Sequence, residues 1–256
     1  LRVSLLLGVA VSLSIELRAQ APIRAFDGAQ AGELFGRVIA DAGDLDGDGA
    51  GDVLIGAPFG GARLGGRVVA ISGASGAVLF EWTGESAGDL FGAAIAGGLD
   101  VSGDGIPDVV VGARGTDVLE FGGGSVYVFS GADGTELALL HGPGRGDGLG
   151  AAVGLLGDAN GDGRAEVLVS AWGDDTSGTN SGVVQVRDVV GGQTLYEVAG
   201  SSHEVFGTAL AAVGDLDGDG VEDFAVAGRW SSEVVPGAGA VHAFSGASGA
   251  WLWTAG

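Results

Sequence analysis

The carboxylates of this chain concentrate in four short loops at a fixed spacing. Asp44-Leu45-Asp46-Gly47-Asp48-Gly49 is followed by Asp100-Val101-Ser102-Gly103-Asp104-Gly105, Asp158-Ala159-Asn160-Gly161-Asp162-Gly163 and Asp215-Leu216-Asp217-Gly218-Asp219-Gly220. Their first aspartates lie 56, 58 and 57 residues apart. Each loop offers oxygen donors at alternate positions, which is what a hard cation taking about six to eight oxygens requires. The ligand set read from the first loop is Asp44, Asp46, Asp48, the Ala50 carbonyl and Asp52. The second gives Asp100, Ser102, Asp104, the Ile106 carbonyl and Asp108, and the third gives Asp158, Asn160, Asp162, the Arg164 carbonyl and Glu166. The fourth gives Asp215, Asp217, Asp219, the Val221 carbonyl and Asp223. The intervening glycines let the backbone curl around one centre. Calcium, up to one ion per loop, is the expected occupant, because magnesium demands a stricter octahedron and keeps several waters. An EF-hand would need a bidentate Glu at position twelve, where these loops carry Ile55, Val111, Val169 and Val226. An Asp-Gly pair alone can simply make a hairpin turn, but a turn does not require acids at the first, fifth and ninth positions of every copy.

These loops must be held by a repeated scaffold. Nine residues before each lies Phe35-Gly36, Phe91-Gly92, Leu149-Gly150 or Phe206-Gly207. After each comes Gly56-Ala57-Pro58, Gly112-Ala113-Arg114, Ser170-Ala171-Trp172 or Ala227-Gly228-Arg229. A Ser-Gly turn recurs at Ser72-Gly73, Ser130-Gly131 and Ser245-Gly246, with Asp188-Val189 in its place in the third copy. The first copy contains apolar runs at Arg37–Ala40, Val53–Ile55, Val68–Ile71 and Val78–Trp82. Such short β-branched and aromatic runs, bounded by Gly and Asp, predict strands. Four antiparallel strands per copy describe the blade of a β-propeller, an all-β fold in which neighbouring blades bury one another's faces. A β-solenoid would need a much shorter repeat.

Phe-Gly, then the aspartate loop, then Gly-Ala-Pro resembles the FG-GAP repeat of the integrin α-subunit N-terminal propeller and its bacterial relatives. The resemblance covers about residues 23–256, as repeats of approximately 23–82, 83–140, 141–198 and 199–256. The first copy matches best and the third worst, with Leu149 for Phe and Ser170-Ala171-Trp172 for Gly-Ala-Pro. The resemblance implies a seven-bladed propeller with calcium on some blades. Four copies fall short of that number, so the expectation here is an incomplete, open propeller.

Composition narrows the function classes. A net charge of −22 repels phosphate backbones, so nucleic acid and anionic membrane surfaces are excluded as expected partners. All 11 basic residues are arginine, and cysteine is absent, which removes disulfides, thiol catalysis and thiolate metal sites. Arg2, the apolar run Val3–Ile15 and Ala19-Gln20-Ala21 have the layout of a secretory signal peptide over residues 1–21, preceding a propeller at 22–256. The chain is therefore expected outside the cytoplasm, secreted or at the cell surface, with no membrane insertion after signal removal. No nucleophile elbow, phosphate loop or zinc motif appears, so no enzyme is expected. Arg145-Gly146-Asp147 spells an integrin-ligand tripeptide, but Gly146-Asp147 belongs to the repeat, matching Gly32-Glu33 and Gly88-Asp89. His141, His203 and His242 fall at non-equivalent positions and suggest no chemistry.

Strand parity places the aspartate loops and the Ser-Gly turns on one face of the propeller. The Gly-Ala-Pro connections, which carry Phe59, Phe121, Trp172 and Trp230, share the opposite face with the Phe-Gly approaches. In the integrin family that second face meets partners, so the resemblance implies a protein or glycan ligand there. The function expected is an exported, calcium-stabilised recognition or adhesion module; the alternatives are a propeller accompanying a secreted hydrolase, or a structural spacer. Ile23–Phe26 aligns with the fourth strand of a blade, as does Trp251–Thr254, so the array is expected to begin cleanly and end unclosed, associating edge to edge or continuing into further blades.

Overall fold

The computed structural model describes residues 25–231, 235 and 237–256, and among these there is no helix. The expected signal peptide lies outside the described residues. Sixteen strands form four separate four-stranded antiparallel sheets, each a meander of consecutive strands. Blade 1 comprises β1 (Val38–Gly43), β2 (Asp52–Ala57), β3 (Arg67–Ile71) and β4 (Val78–Thr83). Blade 2 comprises β5 (Ala94–Gly97), β6 (Val109–Ala113), β7 (Ser125–Phe129) and β8 (Glu136–His141). Blade 3 comprises β9 (Leu149–Leu156), β10 (Glu166–Ala171), β11 (Val183–Asp188) and β12 (Gln193–Ala199). Blade 4 comprises β13 (Phe206–Gly214), β14 (Asp223–Gly228), β15 (Ala240–Phe244) and β16 (Trp251–Ala255).

The two-residue period of a strand makes each inner blade apolar on both faces. In β6, Val109 and Val111 join a core shared with blade 1, while Val110 between them joins a core shared with blade 3. Tyr127 and Phe129 of β7 point to the first core, and Val126 and Val128 to the second. A third core joins Leu168, Val184 and Val186 of blade 3 to Phe224, Val226 and Phe244 of blade 4. Aromatic rings dominate two of these seams: Trp82 stacks on Phe129 at 5.0 Å, and Phe224 on Phe244 at 5.5 Å. The fourth apolar cluster holds only blade 1 residues, Ile55, Val69 and Ile71 with Phe35 against them. Blades 4 and 1 therefore share no core among the described residues, and the propeller is open.

The motif itself is explained by how blades meet. Gly56 of Gly-Ala-Pro, and Gly112 at the same place in the second copy, lie against the second residue of the next blade's Phe-Gly position, Gly92 and Gly150, while the third copy sets Ser170 against Gly207. A Cβ on Gly56 would collide with the Gly92 carbonyl oxygen, and one on Gly112 with that of Gly150. Phe91 and Phe206 are fully buried behind this contact, with Leu149 taking the same place in the third copy.

The N-terminal segment departs from the expectation. Of Ile23–Phe26, the described residues Ala25 and Phe26 lie in no strand, and Phe26 is exposed. Each sheet completes its four strands from consecutive sequence, so this short segment is needed by none of them.

Candidate metal centre

Each aspartate loop joins the first two strands of a blade, and its side chains fold back onto its own backbone. The first acid is the hub. In loop one, Asp44 Oδ1 accepts from the N–H groups of Gly47 and Asp48, and Oδ2 from Gly49. Asp158 repeats this with Gly161, Asp162 and Gly163, while Asp100 takes Gly103 and Gly105, and Asp215 takes Gly218 and Gly220. The fifth-position acids Asp48, Asp104, Asp162 and Asp219 each accept from the N–H of Ala50, Ile106, Arg164 and Val221 respectively. Asp46, Asn160 and Asp217 at position three accept from the residue two further on, whereas Ser102 donates to Asp100. The turn demands glycine: positions four and six have φ between 73° and 91° in all four loops, a region that costs other residues energy.

The ninth-position acid does something the sequence did not reveal. Asp52, Asp108, Glu166 and Asp223 are buried. Asp52 accepts from Leu45 N–H within its loop and from Gly73 N–H in the Ser-Gly turn. Asp108 does the same with Val101, Ser102 and Gly131, and Asp223 with Leu216, Asp217 and Gly246. The acid thus locks the aspartate loop to the turn between the third and fourth strands. Glu166, one methylene longer and facing Asp188 instead of a Ser-Gly pair, keeps only the Ala159 bond in the loop.

Three triads bring carboxylate oxygens within 4.8 Å of one another: Asp44, Asp46 and Asp48; Asp158, Asp162 and Glu166; and Asp215, Asp217 and Asp223. The first triad leaves out Asp52 and the third leaves out Asp219, while the second loop forms none, its acids Asp100, Asp104 and Asp108 not converging as closely. The donors are all oxygen, matching a hard cation. A carboxylate that accepts an N–H retains lone pairs for a metal. Burial tends to raise Asp100 and Asp158, but N–H bonds from their loop glycines outweigh it and hold both below the usual carboxylate range. Burial wins at Asp108, which is raised despite its bonds. At Glu166, burial together with the charges of Asp158, Asp162 and Asp188 pushes the carboxyl up to about 7. Loop three also carries its own cation: Arg164 Nη2 lies 2.8 Å from Asp162 and 3.7 Å from Asp188.

On the opposite face Gly36 N–H donates to the Gly56 carbonyl, and Gly92 N–H to that of Gly112, tying approach loops to the Gly-Ala-Pro strands. The residue before Phe-Gly is left-handed in every copy, at Leu34, Leu90, Gly148 and Val205. One residue earlier sits a buried acid, Glu33, Asp89, Asp147 or Glu204, which accepts a backbone N–H from its own loop. Its recurrence was visible in the sequence, but its role was not. Glu33 pairs with Arg67 at 3.1 Å and Glu204 with His242 at 2.7 Å. Asp147, the last residue of the Arg-Gly-Asp tripeptide, is thereby occupied inside its loop. Phe59, Phe121 and Trp230 are exposed, with Arg145 over Phe121 and Arg229 over Trp230, while Trp172 is half-buried near Gly148. Leu34, Arg37, Pro58, Phe59, Leu90 and Arg114 line a groove of about 350 Å³ between blades 1 and 2.

FG-GAP repeats are matched at residues 91–129 and 206–244, which contain the second and fourth Phe-Gly pairs and aspartate loops. This is an FG-GAP repeat protein. The FG-GAP chain is 34% identical over 219 residues to integrin alpha-PS2 of Drosophila melanogaster, an alignment covering 75% of the chain and 15% of that protein. It is 42% identical over 91 residues to integrin alpha-5 of Xenopus laevis, covering 32% of the chain and 9% of the relative. The chain therefore spans less than a fifth of the length of these relatives. Among solved structures, the FG-GAP chain superposes on exotype rhamnogalacturonan lyase YesX with a TM-score of 0.50 at 16% identity, over 86% of the chain and 41% of that structure. At that identity the likeness concerns the fold.

Proposed function

We propose that this FG-GAP chain is an extracytoplasmic, non-catalytic recognition module for a protein ligand, with calcium in its aspartate loops. The observation that carries this reading is the recurrence of one oxygen-only loop on the same face of all four blades, in a chain similar to integrin alpha over most of its length. Asp44, Asp46 and Asp48, with their counterparts in the other loops, would hold the ion, with the carbonyls of Ala50, Ile106, Arg164 and Val221 completing the set. The ion would neutralise a cluster that otherwise repels itself, and its binding to the native state alone would raise stability by mass action. The buried ninth-position acids would carry that order into the blade through the Ser-Gly turn.

Ligand contact belongs on the opposite face, where exposed Phe121 and Trp230 lie under Arg145 and Arg229 and exposed Phe59 lines a groove with Arg37 and Arg114, the combination enriched in interface hot spots. The apolar run before residue 21 supports export. Thermal melting with calcium and with excess chelator tests the metal. A melting temperature that rises with calcium is expected, and identical values would remove the calcium reading. A screen of extracellular proteins against wild type and a Phe59→Ala, Phe121→Ala, Trp230→Ala triple variant tests the face. Binding retained by the triple variant would place the ligand elsewhere.

A further inference from the structure

Two arginines line one groove on the Phe-Gly face, and neither guanidinium has a partner among the described residues. Of the other arginines there, Arg63 donates to the Glu85 carbonyl, Arg67 pairs with Glu33, Arg164 pairs with Asp162, and Arg187 donates to Gln185. Arg145 and Arg229 lie over Phe121 and Trp230. Arg37 and Arg114 remain: among the described residues neither guanidinium makes an ion pair, a hydrogen bond or a ring contact, and both residues are exposed. Both line the groove of about 350 Å³ over the seam between blades 1 and 2. In a chain with 33 acids and 11 arginines, two cations left unpaired in one groove mark a place for an anion supplied from outside.

Each wall of the groove is one blade's approach loop tied to the same blade's Gly-Ala-Pro connection. In blade 1, Phe59 N–H donates to the Glu33 carbonyl and Arg37 N–H to that of Leu34. In blade 2, Gly115 N–H donates to the Asp89 carbonyl and Ala93 N–H to that of Leu90. The seam beneath is complete, since the two blades share a core around Trp82, Phe91 and Phe129. A leucine stands on each wall, Leu34 with φ of 57° and Leu90 with φ of 59°. That left-handed backbone is strained for a residue bearing a Cβ. Glycine suits the turn, because Gly148 holds the same place in the third copy with φ of 63°. There the Trp172 ring, in the place of Arg114, lies where a Cβ would stand. Leucine in the first two copies therefore costs energy that the turn does not require, and what its side chain provides is an apolar lining beside the two guanidiniums.

We infer that this groove binds a short acidic peptide segment of a protein ligand. Arg37 and Arg114 hold its carboxylate, and a neighbouring apolar side chain lies against Leu34, Phe59 and Leu90. The inference rests on the recognition reading above and gives it a ligand chemistry. A guanidinium fork matches a carboxylate bidentately. The volume is near the lower end of the roughly 300–1,000 Å³ of ligand pockets, enough for one or two side chains of an extended segment. A net charge of −22 turns acidic partners away from the rest of the surface, so such a ligand is admitted where the arginines stand. A carboxylated glycan fits less well, because apart from the arginines every described lining residue is apolar and offers nothing to its hydroxyls.

Selection from a peptide library tests this on the full chain in the presence of calcium. The probe is a bead library of acetylated, amidated pentapeptides randomised over Gly, Ser, Leu, Phe, Gln, Glu and Lys. Wild type is expected to enrich Glu beside Leu or Phe. It should bind the selected peptide about tenfold or more tighter than the same peptide with Gln for Glu, the scale of a charge-assisted hydrogen bond. Arg37→Gln and Arg114→Gln are each expected to lose that preference while binding the Gln peptide as wild type does, which also reports an intact groove. Phe59→Ala should weaken both peptides alike. Recovery of no peptide, enrichment without Glu, or the same Glu preference in the Arg37→Gln, Arg114→Gln double variant would overturn the inference. Tighter binding of oligogalacturonate than of the selected peptide, abolished in the double variant, would overturn the peptide assignment in favour of an acidic glycan. A protein ligand lost on the Phe59→Ala, Phe121→Ala, Trp230→Ala variant but held by the double arginine variant would keep the recognition reading and sink this one.

Discussion

Replacing Gly112 by alanine should open the seam between blades 2 and 3. An added Cβ would stand inside contact distance of the Gly150 carbonyl oxygen, 3.0 Å from its carbon and 3.2 Å from Ala94 Cβ. Both partners are fixed. Gly112 sits in the buried strand β6, and Gly150 is held by φ of 84° behind the buried Leu149. Relief therefore requires the blades to part locally, an overpacking of the kind that costs about 1–3 kcal/mol. Loss of glycine's freedom in the unfolded chain gives back about 0.4–1 kcal/mol. A net loss of about 1–2 kcal/mol is expected, and for a chain of this size each kcal/mol lowers Tm by about 2–4 °C. Gly56→Ala, facing Gly92, should behave alike. Gly51→Ala is the control, since its nearest neighbour would be Asp41 Oδ1 at 3.9 Å, and it should stay within about 0.5 kcal/mol of wild type. Urea denaturation followed by tryptophan fluorescence reads the differences. If Gly112→Ala and Gly51→Ala unfold at the same midpoint, the close approach of Phe-Gly to Gly-Ala-Pro is not what the glycine is for.

Two acids of the fourth loop should separate metal binding from architecture. Asp223→Ala strands the N–H groups of Leu216, Asp217 and Gly246 and should cost about 2–4 kcal/mol even in chelator; Asp217→Ala should leave the chelated melting temperature nearly unchanged and remove only calcium's contribution from that loop. Removing the fifth-position Asp from each loop in turn and titrating calcium should show loops one and four, with four carboxylates each, filling before loops two and three, with three each. The Arg164 guanidinium on Asp162 should hold loop three last. The pH dependence has a definite sign: Glu166 is raised from 4.5 to about 7, so its favourable contribution in the metal-free protein is complete below about pH 4.5 and lost as pH rises through 7. Glu166→Gln in chelator should flatten the stability profile relative to wild type over that window, by about 3 kcal/mol at most; parallel profiles would contradict the assignment.

The repeat, the blade and the loops are legible in the amino-acid order, because each is written in local spacing. Alternating Val109-Val110-Val111 declares a strand buried on both sides, and paired glycines at Gly47 and Gly49 declare a loop curled around its acids. Even the two-faced arrangement followed from strand parity. The long-range partners that the same residues take emerge once the blades are packed together. Asp52 and Asp223 read as ligands from spacing, yet each carboxylate also accepts an N–H from a turn more than twenty residues away, Gly73 or Gly246. The glycine of Gly-Ala-Pro has no local reason to be glycine; its reason is a carbonyl on the following blade. Glu33 and Glu204 recur at one position, but only packing shows them buried, with Arg67 and His242 as partners. Ile23–Phe26 aligned with a strand, and Ala25 and Phe26 form none, since apolar character specifies a strand only where a sheet has a place for it. Val68 and Val241 are the same residue at the same register position, buried in one blade and exposed in the other. Local pattern sets which way a side chain points; what meets it there is set by a neighbouring blade that the pattern does not contain.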